Sequence, residues 1–225
     1  MVDGEARRIR FHDYAEIYRI PGMYEQLFAG LLQCRSPEVI TGLLAESLEA
    51  AGERAADLRV LDFGAGNGMV GEELVALGAA VVIGCDLLPE ACEAALRDRP
   101  EVYRDYLAQD VTALDDTQRA MLRDAGLNCM TCVAALGFDD IPPAAFAAAF
   151  NAIGEQGWVA FNLRDRYMDS PSDFARLLER MVAEGVLEEA RQTRYRHRLS
   201  VAGEPLDYIA FVGRKRGHID PSWIG

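Results

Sequence analysis

The chain has 225 residues, half of them apolar, enough to bury a sizeable core in one domain or in one domain with a small appendage. Its 36 acids against 23 bases leave a net charge of −13, which argues against nucleic acid as the main ligand, because binding that backbone depends on neutralising phosphates. No stretch approaches the roughly 20 apolar residues that span a bilayer, and the start, MVDGEARRIRFHDY, lacks the apolar core of a signal peptide. The expectation is therefore a cytoplasmic protein with a small-molecule ligand and no membrane partner.

In chain order, the first segment carries aromatics at Phe11, Tyr14, Tyr18, Tyr24 and Phe28 and helical patterns near 23–32 and 37–51. It reads as an N-terminal helical cover over residues 1–55. The remainder, 56–225, forms the core. From Leu58 onward short apolar runs alternate with helical patterns, the signature of a parallel sheet clothed in helices. The runs are RVLDF (59–63), AVVIGCD (80–86), YLAQD (106–110), CMTCVAAL (129–136) and WVAFNL (158–163). Helices are expected near 68–77, 89–97, 115–125, 142–153 and 171–184, the fourth opening with prolines that the first turn tolerates. VLEEARQTRYRHRL and PLDYIAFVGRKR then follow, separated only by SVAGE. So short a link cannot cross over a sheet, so this pair is antiparallel.

The stretch VLDFGAGNGMVG (60–71) can be read in two registers. From Gly66 it spells G-x-G-x-x-G, the dinucleotide fingerprint; from Gly64 it spells G-x-G-x-G with Asp62 two residues ahead. The apolar run ends at Phe63, so the chain turns at Gly64. The dinucleotide register would start that turn two residues late, and the terminal antiparallel pair is foreign to a nicotinamide-binding domain. No Lys follows the loop, so it is not a phosphate-binding P-loop. Gly71 reads as a helix-packing position. Asp86 and Asp110 end the second and third strands, on the edge where open parallel sheets bind ligands.

LDFGAGNG, GCDLLPEACEAA and AQDVTAL, in this order and at these intervals, resemble the first three motifs of the class I S-adenosylmethionine-dependent methyltransferases. The resemblance runs from about residue 58 to 164. It implies a Rossmann-like doubly wound sheet of seven strands, mostly parallel with a C-terminal antiparallel hairpin, and S-adenosyl-L-methionine as cofactor. It implies that Asp62 and the backbone of Gly64 and Gly66, in the loop completed by Gly68, hold the methionine part. Asp86 would bind the ribose, Leu87 would pack on the adenine, and Asp110 with the Val111 amide would read the adenine edge. The carbonyl of Ala134 would face the cofactor's amino group.

Methyl transfer is a displacement at a sulfonium, which alignment in a desolvated site can accelerate without a catalytic triad or a metal. Candidates for a direct role are Tyr18, through cation–π attraction, with Asn162 and His12. Candidates on the substrate side are Tyr14, Phe138, Asp139, Arg164 and Tyr167. After the fourth strand stands AALGFDDIPP rather than the Asn/Asp-Pro-Pro-aromatic motif of nucleic-acid and protein-amide N-methyltransferases, which argues against adenine and glutamine acceptors.

Two features read as structural. Cys129 and Cys132, three apart in a strand, face opposite sides and cannot share a metal; all five cysteines are expected to be free thiols. Arg194, Arg196 and Arg198 alternate along one water-facing side of a strand. The expected activity is methyl transfer to a small molecule. Cofactor cleavage or cyclisation without an acceptor, and a non-catalytic cofactor-binding or partner-activating module, are the competing readings, with monomer and homodimer both open.

Overall fold

In the computed structural model the described residues are 9–136, 141–165 and 173–224. Seven strands form one sheet: β1 (Arg59–Phe63), β2 (Val81–Asp86), β3 (Asp105–Ala108), β4 (Cys129–Cys132), β5 (Trp158–Arg164), β6 (Leu187–Leu199) and β7 (Pro205–Lys215). Their order is β3-β2-β1-β4-β5-β7-β6. The first five strands pair in parallel, while β7 runs antiparallel to both β5 and β6. The chain winds outward from β1 to β3 and then returns to β4 on the other side of β1. That reversal opens a crevice at the carboxyl ends of β1 and β4.

Local chemistry sets the helix boundaries. Helix α2 (Ser36–Ala51) stops at Gly52, whose left-handed φ of 70° lets its N–H and that of Glu53 turn back onto the last carbonyls. Helix α5 (Asp116–Ala125) starts in a reciprocal capping box between Asp115 and Gln118. The prolines at the starts of α4 (Pro89–Asp98) and α6 (Pro143–Ala152) occupy positions whose N–H groups lack helical partners. Helices α3 (Met69–Leu77) and α7 (Asp173–Ala183) complete the layers.

Strand residues alternate between two apolar layers, as a doubly covered sheet requires. Leu61, Ile83, Cys132 and Phe161 pack on one face with Phe146 and Phe150 of α6 and Phe174 of α7. Val60, Val82, Cys129 and Ala160 pack on the other with Ile40 and Leu44 of α2 and Leu74 of α3. Cys129 and Cys132 therefore lie in different layers, buried and free. Among the described residues no His/Cys/Asp/Glu group could hold a metal, and no helix is long and apolar enough to cross a membrane.

The structure refines the expected elements in four places. Helix α2 packs on α3, β5 and β7 as part of the sheet's own covering layer, and it meets the crevice at Pro37 in its first turn. The segment before it contains a short helix α1 (Tyr14–Arg19), and the turns at Glu25–Leu31 are π-helical. Strand β4 ends at Cys132 because Ala134 leaves the extended conformation with a φ of 59°. The arginine alternation fails at Arg198, because a register shift between Arg196 and Arg198 turns the strand. Arg194 stays exposed, whereas Arg198 is buried with its guanidinium 5.2 Å from the Phe11 ring centroid.

Candidate active site

The turn after β1 takes left-handed conformations at Gly64, Gly66 and Gly68, with φ of 74°, 55° and 91°. Those three positions are the ones the 64-66-68 register singles out. Gly71 serves packing instead, since a Cβ there would sit 2.6 Å from Tyr103 Cζ and from Val102 Cγ1. The turn is tied to β2 by the N–H groups of Gly64 and Ala65, which both donate to the Cys85 carbonyl.

Asp62 lies below this turn and is not among the residues that line the crevice. Its carboxylate accepts from Tyr103 Oη at 2.7 Å and from Thr131 Oγ1 at 2.8 Å. Burial pushes its pKa up to about 6 against these two hydrogen bonds.

Asp86 does line the crevice. Its Oδ2 accepts the Gly66 N–H at 2.9 Å and its Oδ1 the Leu88 N–H at 3.0 Å. Two backbone bonds leave each oxygen with a further lone pair for a ligand. Burial raises its pKa, partly offset by those bonds. Leu87, beside it, is 68% exposed, and its side chain borders the same cavity. Asp110 caps the following turn, accepting from Thr112 N and Oγ1, which hold its carboxyl below the usual range. Val111 is buried at its side.

Over these strand ends lies a ladder of four rings from the N-terminal segment. Ring centroids stand 6.4 Å apart for Tyr14 and Tyr18, 5.0 Å for Tyr18 and Tyr24, and 4.5 Å for Tyr24 and Phe28. Burial pushes the Tyr18 and Tyr24 phenols well up, so both stay protonated. Arg19 pairs with Glu90 at 2.5 Å, Arg97 donates to the Tyr18 carbonyl at 3.0 Å, and Arg99 pairs with Glu25 at 2.7 Å. The ladder is thereby fastened to α4 and to the residue that follows it.

The cavity beneath it measures about 500 Å³. Its lining includes Asp86, Leu87, Asp110 and Val111 together with Phe28, Cys34, Val133, Ile141 and Ala145. Asp86 and Asp110 are the only charged side chains among its described lining residues. The lining therefore combines two carboxylates with aromatic and apolar side chains.

Of the expected residues, Gly64, Gly66, Asp86, Leu87, Asp110, Val111, Ala134, Tyr14 and Tyr18 converge on the cavity. Gly68 shapes the turn behind it, packed against Tyr103. Asn162 is fully buried and is not among the lining residues. His12 is exposed, its Nδ1 3.3 Å from Tyr14 Oη, and is not a lining residue. Arg164 pairs across β5 and β7 with Tyr208, also away from the cavity. Phe138, Asp139 and Tyr167 lie outside the described residues.

Sequence reasoning missed Tyr103, Tyr106 and Asn67. Tyr106 Oη donates to the Gly66 carbonyl at 2.7 Å, and Asn67 donates to Glu25 at 2.6 Å. The signal that could have found the two tyrosines was the set of small residues Gly68, Gly71 and Gly84, whose missing side chains make room for them.

Residues 37–203 match the family model described as a methyltransferase domain. No curated protein matches the chain. Among solved structures, the fold is shared with the N-methyltransferase NodS from Bradyrhizobium japonicum in complex with S-adenosyl-L-homocysteine, at 15% identity over 80% of this chain and 87% of that one, TM-score 0.55. It is shared with magnesium protoporphyrin IX methyltransferase from Synechocystis with its bound cofactor, at 15% identity over 78% of each chain, TM-score 0.54. A ribosomal-protein methylase from Lactobacillus delbrueckii gives 17% identity over 79% of each chain, TM-score 0.50.

Proposed function

The chain belongs to the methyltransferase-domain family, and on that premise we propose that it binds S-adenosyl-L-methionine and transfers the methyl group to a small molecule. The observation that carries this reading is a strand-end cavity whose charged lining, among the described residues, consists of Asp86 and Asp110 beneath a ladder of tyrosine rings. A ligand that combines ribose hydroxyls with a positively charged sulfur suits that lining. Asp86 has lone pairs free for the hydroxyls, and the two carboxylates suit the cation.

The residues present fit the cofactor in the manner the motifs imply. Asp86 would hold the ribose, Leu87 the adenine face, Asp110 and Val111 the adenine edge, and the Gly64–Gly66 turn with Ala134 the amino-acid end. When bound, S-adenosylmethionine supplies an electrophilic methyl on a charged sulfur. The chain itself contributes orientation and exclusion of water, which suffice for such a displacement.

A small acceptor is supported by the apolar part of the lining. Phe28, Cys34, Val133, Ile141 and Ala145 offer apolar contact, and no lysine or arginine stands among the described lining residues to meet a phosphate backbone. Burying an uncompensated anion there would be costly, and the net charge of −13 opposes polyanions further. The acceptor atom is an oxygen, nitrogen, sulfur or carbon of that molecule.

Calorimetry with S-adenosylmethionine and S-adenosylhomocysteine tests the cofactor. A folded protein that takes neither would end this reading. Transfer of labelled methyl into the small-molecule fraction of an extract, and not into its RNA or protein, tests the acceptor class.

A further inference from the structure

Ala134 is the one non-glycine residue of the described cavity wall with a left-handed backbone, at φ 59°. The other two described residues of this kind, Gln33 and Gln156, do not line the cavity. A Cβ disfavours this conformation, which persists only where the surroundings impose it. Asn162 meets Ala134 at this point. Its Oδ1 accepts the Ala134 N–H at 2.7 Å.

The amide of Asn162 is held from behind. Nδ2 donates to Tyr195 Oη at 2.6 Å and to Ser36 Oγ at 3.0 Å, and Ser36 Oγ lies 2.6 Å from both Tyr195 Oη and His197 Nδ1. A backbone N–H can only donate, so the Asn162 oxygen must face Ala134 and its nitrogen must face the hydroxyls. Asn162, Ser36 and His197 are all buried. Four residues from β5, α2 and the β6 edge strand thus converge on one backbone amide of the cavity wall, and none of the four borders the cavity itself.

We propose that Asn162 is a positioning residue for the cofactor. Through its hydrogen bond it holds Ala134 in the left-handed form, and that form gives the wall beside β4 the shape that takes the amino-acid end of S-adenosylmethionine. The inference rests on the cofactor reading above. It assigns Asn162 no contact with substrate and no proton transfer.

The test is the affinity for S-adenosylhomocysteine, measured by calorimetry, with thermal unfolding recorded alongside. Asn162→Ala is expected to weaken binding roughly tenfold, the range set by one disfavoured backbone residue. Ala134→Gly is the reference for the double variant, because glycine enters this region freely and needs no hydrogen bond to hold it there. The double variant Asn162→Ala with Ala134→Gly should then recover to within about threefold of Ala134→Gly. A merely structural role for Asn162 would lower the melting temperature without that recovery. Ala134→Val leaves the buried network untouched and should also weaken binding, since a β-branched residue resists positive φ; this arm decides the matter if Asn162→Ala does not fold. Unchanged binding in Asn162→Ala or Ala134→Val, or a double variant as weak as Asn162→Ala, overturns this inference alone. Absence of binding in the unaltered protein overturns it together with the cofactor reading.

Discussion

The Tyr103 hydroxyl donates to the Asp62 carboxylate at 2.7 Å, beneath the glycine turn and out of reach of the cavity. The same ring fills the space that Gly68, Gly71 and Gly84 leave open. Tyr103→Phe keeps the ring and removes the donor. A hydrogen bond to a charged group is worth about 1.5–3 kcal/mol, so a loss of stability of that order is expected by urea denaturation. Asp62 would keep only Thr131 as a side-chain partner, and its carboxyl would titrate higher still. Stability equal to the parent protein would show that the pair is ornamental.

Gly71→Ala separates the two registers of the glycine loop. Its methyl would stand 2.6 Å from Tyr103 and Val102, in a helix that needs no positive φ. The expected result is a loss of about 1–3 kcal/mol, as for other overpacked sites, with cofactor binding retained in the fraction that stays folded. A selective loss of binding at full stability would instead point to Gly71 as a ligand-facing position.

Asp86→Ala should lower the affinity for S-adenosylmethionine by the roughly 1.5–3 kcal/mol typical of hydrogen bonds to a carboxylate. It also strips the Gly66 and Leu88 amides of their acceptor. Comparison with adenosine isolates the ribose contribution, because that ligand carries the hydroxyls without the sulfonium or the amino acid. If adenosine affinity is unaltered by the substitution, Asp86 does not hold the ribose.

His197 makes stability depend on pH. Burial, with a smaller effect from Arg198, lowers its pKa from 6.5 to about 3. The unfolded chain therefore takes up this proton before the folded one, so the contribution is complete above pH 6.5 and is lost as pH falls towards 3, at up to about 1.4 kcal/mol per unit. Asp62 works with the opposite sign. Its pKa is raised from 3.8 to about 6, so the folded state takes the proton first and gains stability as pH falls through that window. His197→Asn keeps an acceptor near Ser36 without the titration. Its stability profile should be less steep than that of the parent between about pH 6.5 and 4, with Asp62→Asn run in parallel to remove the opposing effect. Identical slopes in parent and His197→Asn would refute the assignment.

Much of the site was legible because contiguous residues encode it. The run into Phe63, the glycines after it, the acid that ends β2 and the acid two residues beyond β3 follow from strand period and turn chemistry, which act over a few neighbours. The antiparallel hairpin was legible for the same reason: a link as short as SVAGE cannot carry the chain across a sheet. The aromatic segment was visible as a cover, but not its π-helical turns or the packing of its four rings, which depend on how α4 receives it.

What the sequence by itself determined is the order and type of the strands along the chain, the register of the glycine turn and the edge of the sheet on which that turn and Asp86 stand. What only the tertiary structure decided is which of the acids and amides face that edge. Asp62 and Asn162 both sit near strand ends, yet the first is turned under the loop by Tyr103 and Thr131 and the second is drawn behind the wall by Ser36 and Tyr195. Their partners come from distant parts of the chain and meet only because β1 lies between β2 and β4 and because β6 and β7 close the sheet beside β5. The direction of a buried polar side chain is set by where its hydrogen-bond partners arrive, and no spacing along the sequence records that.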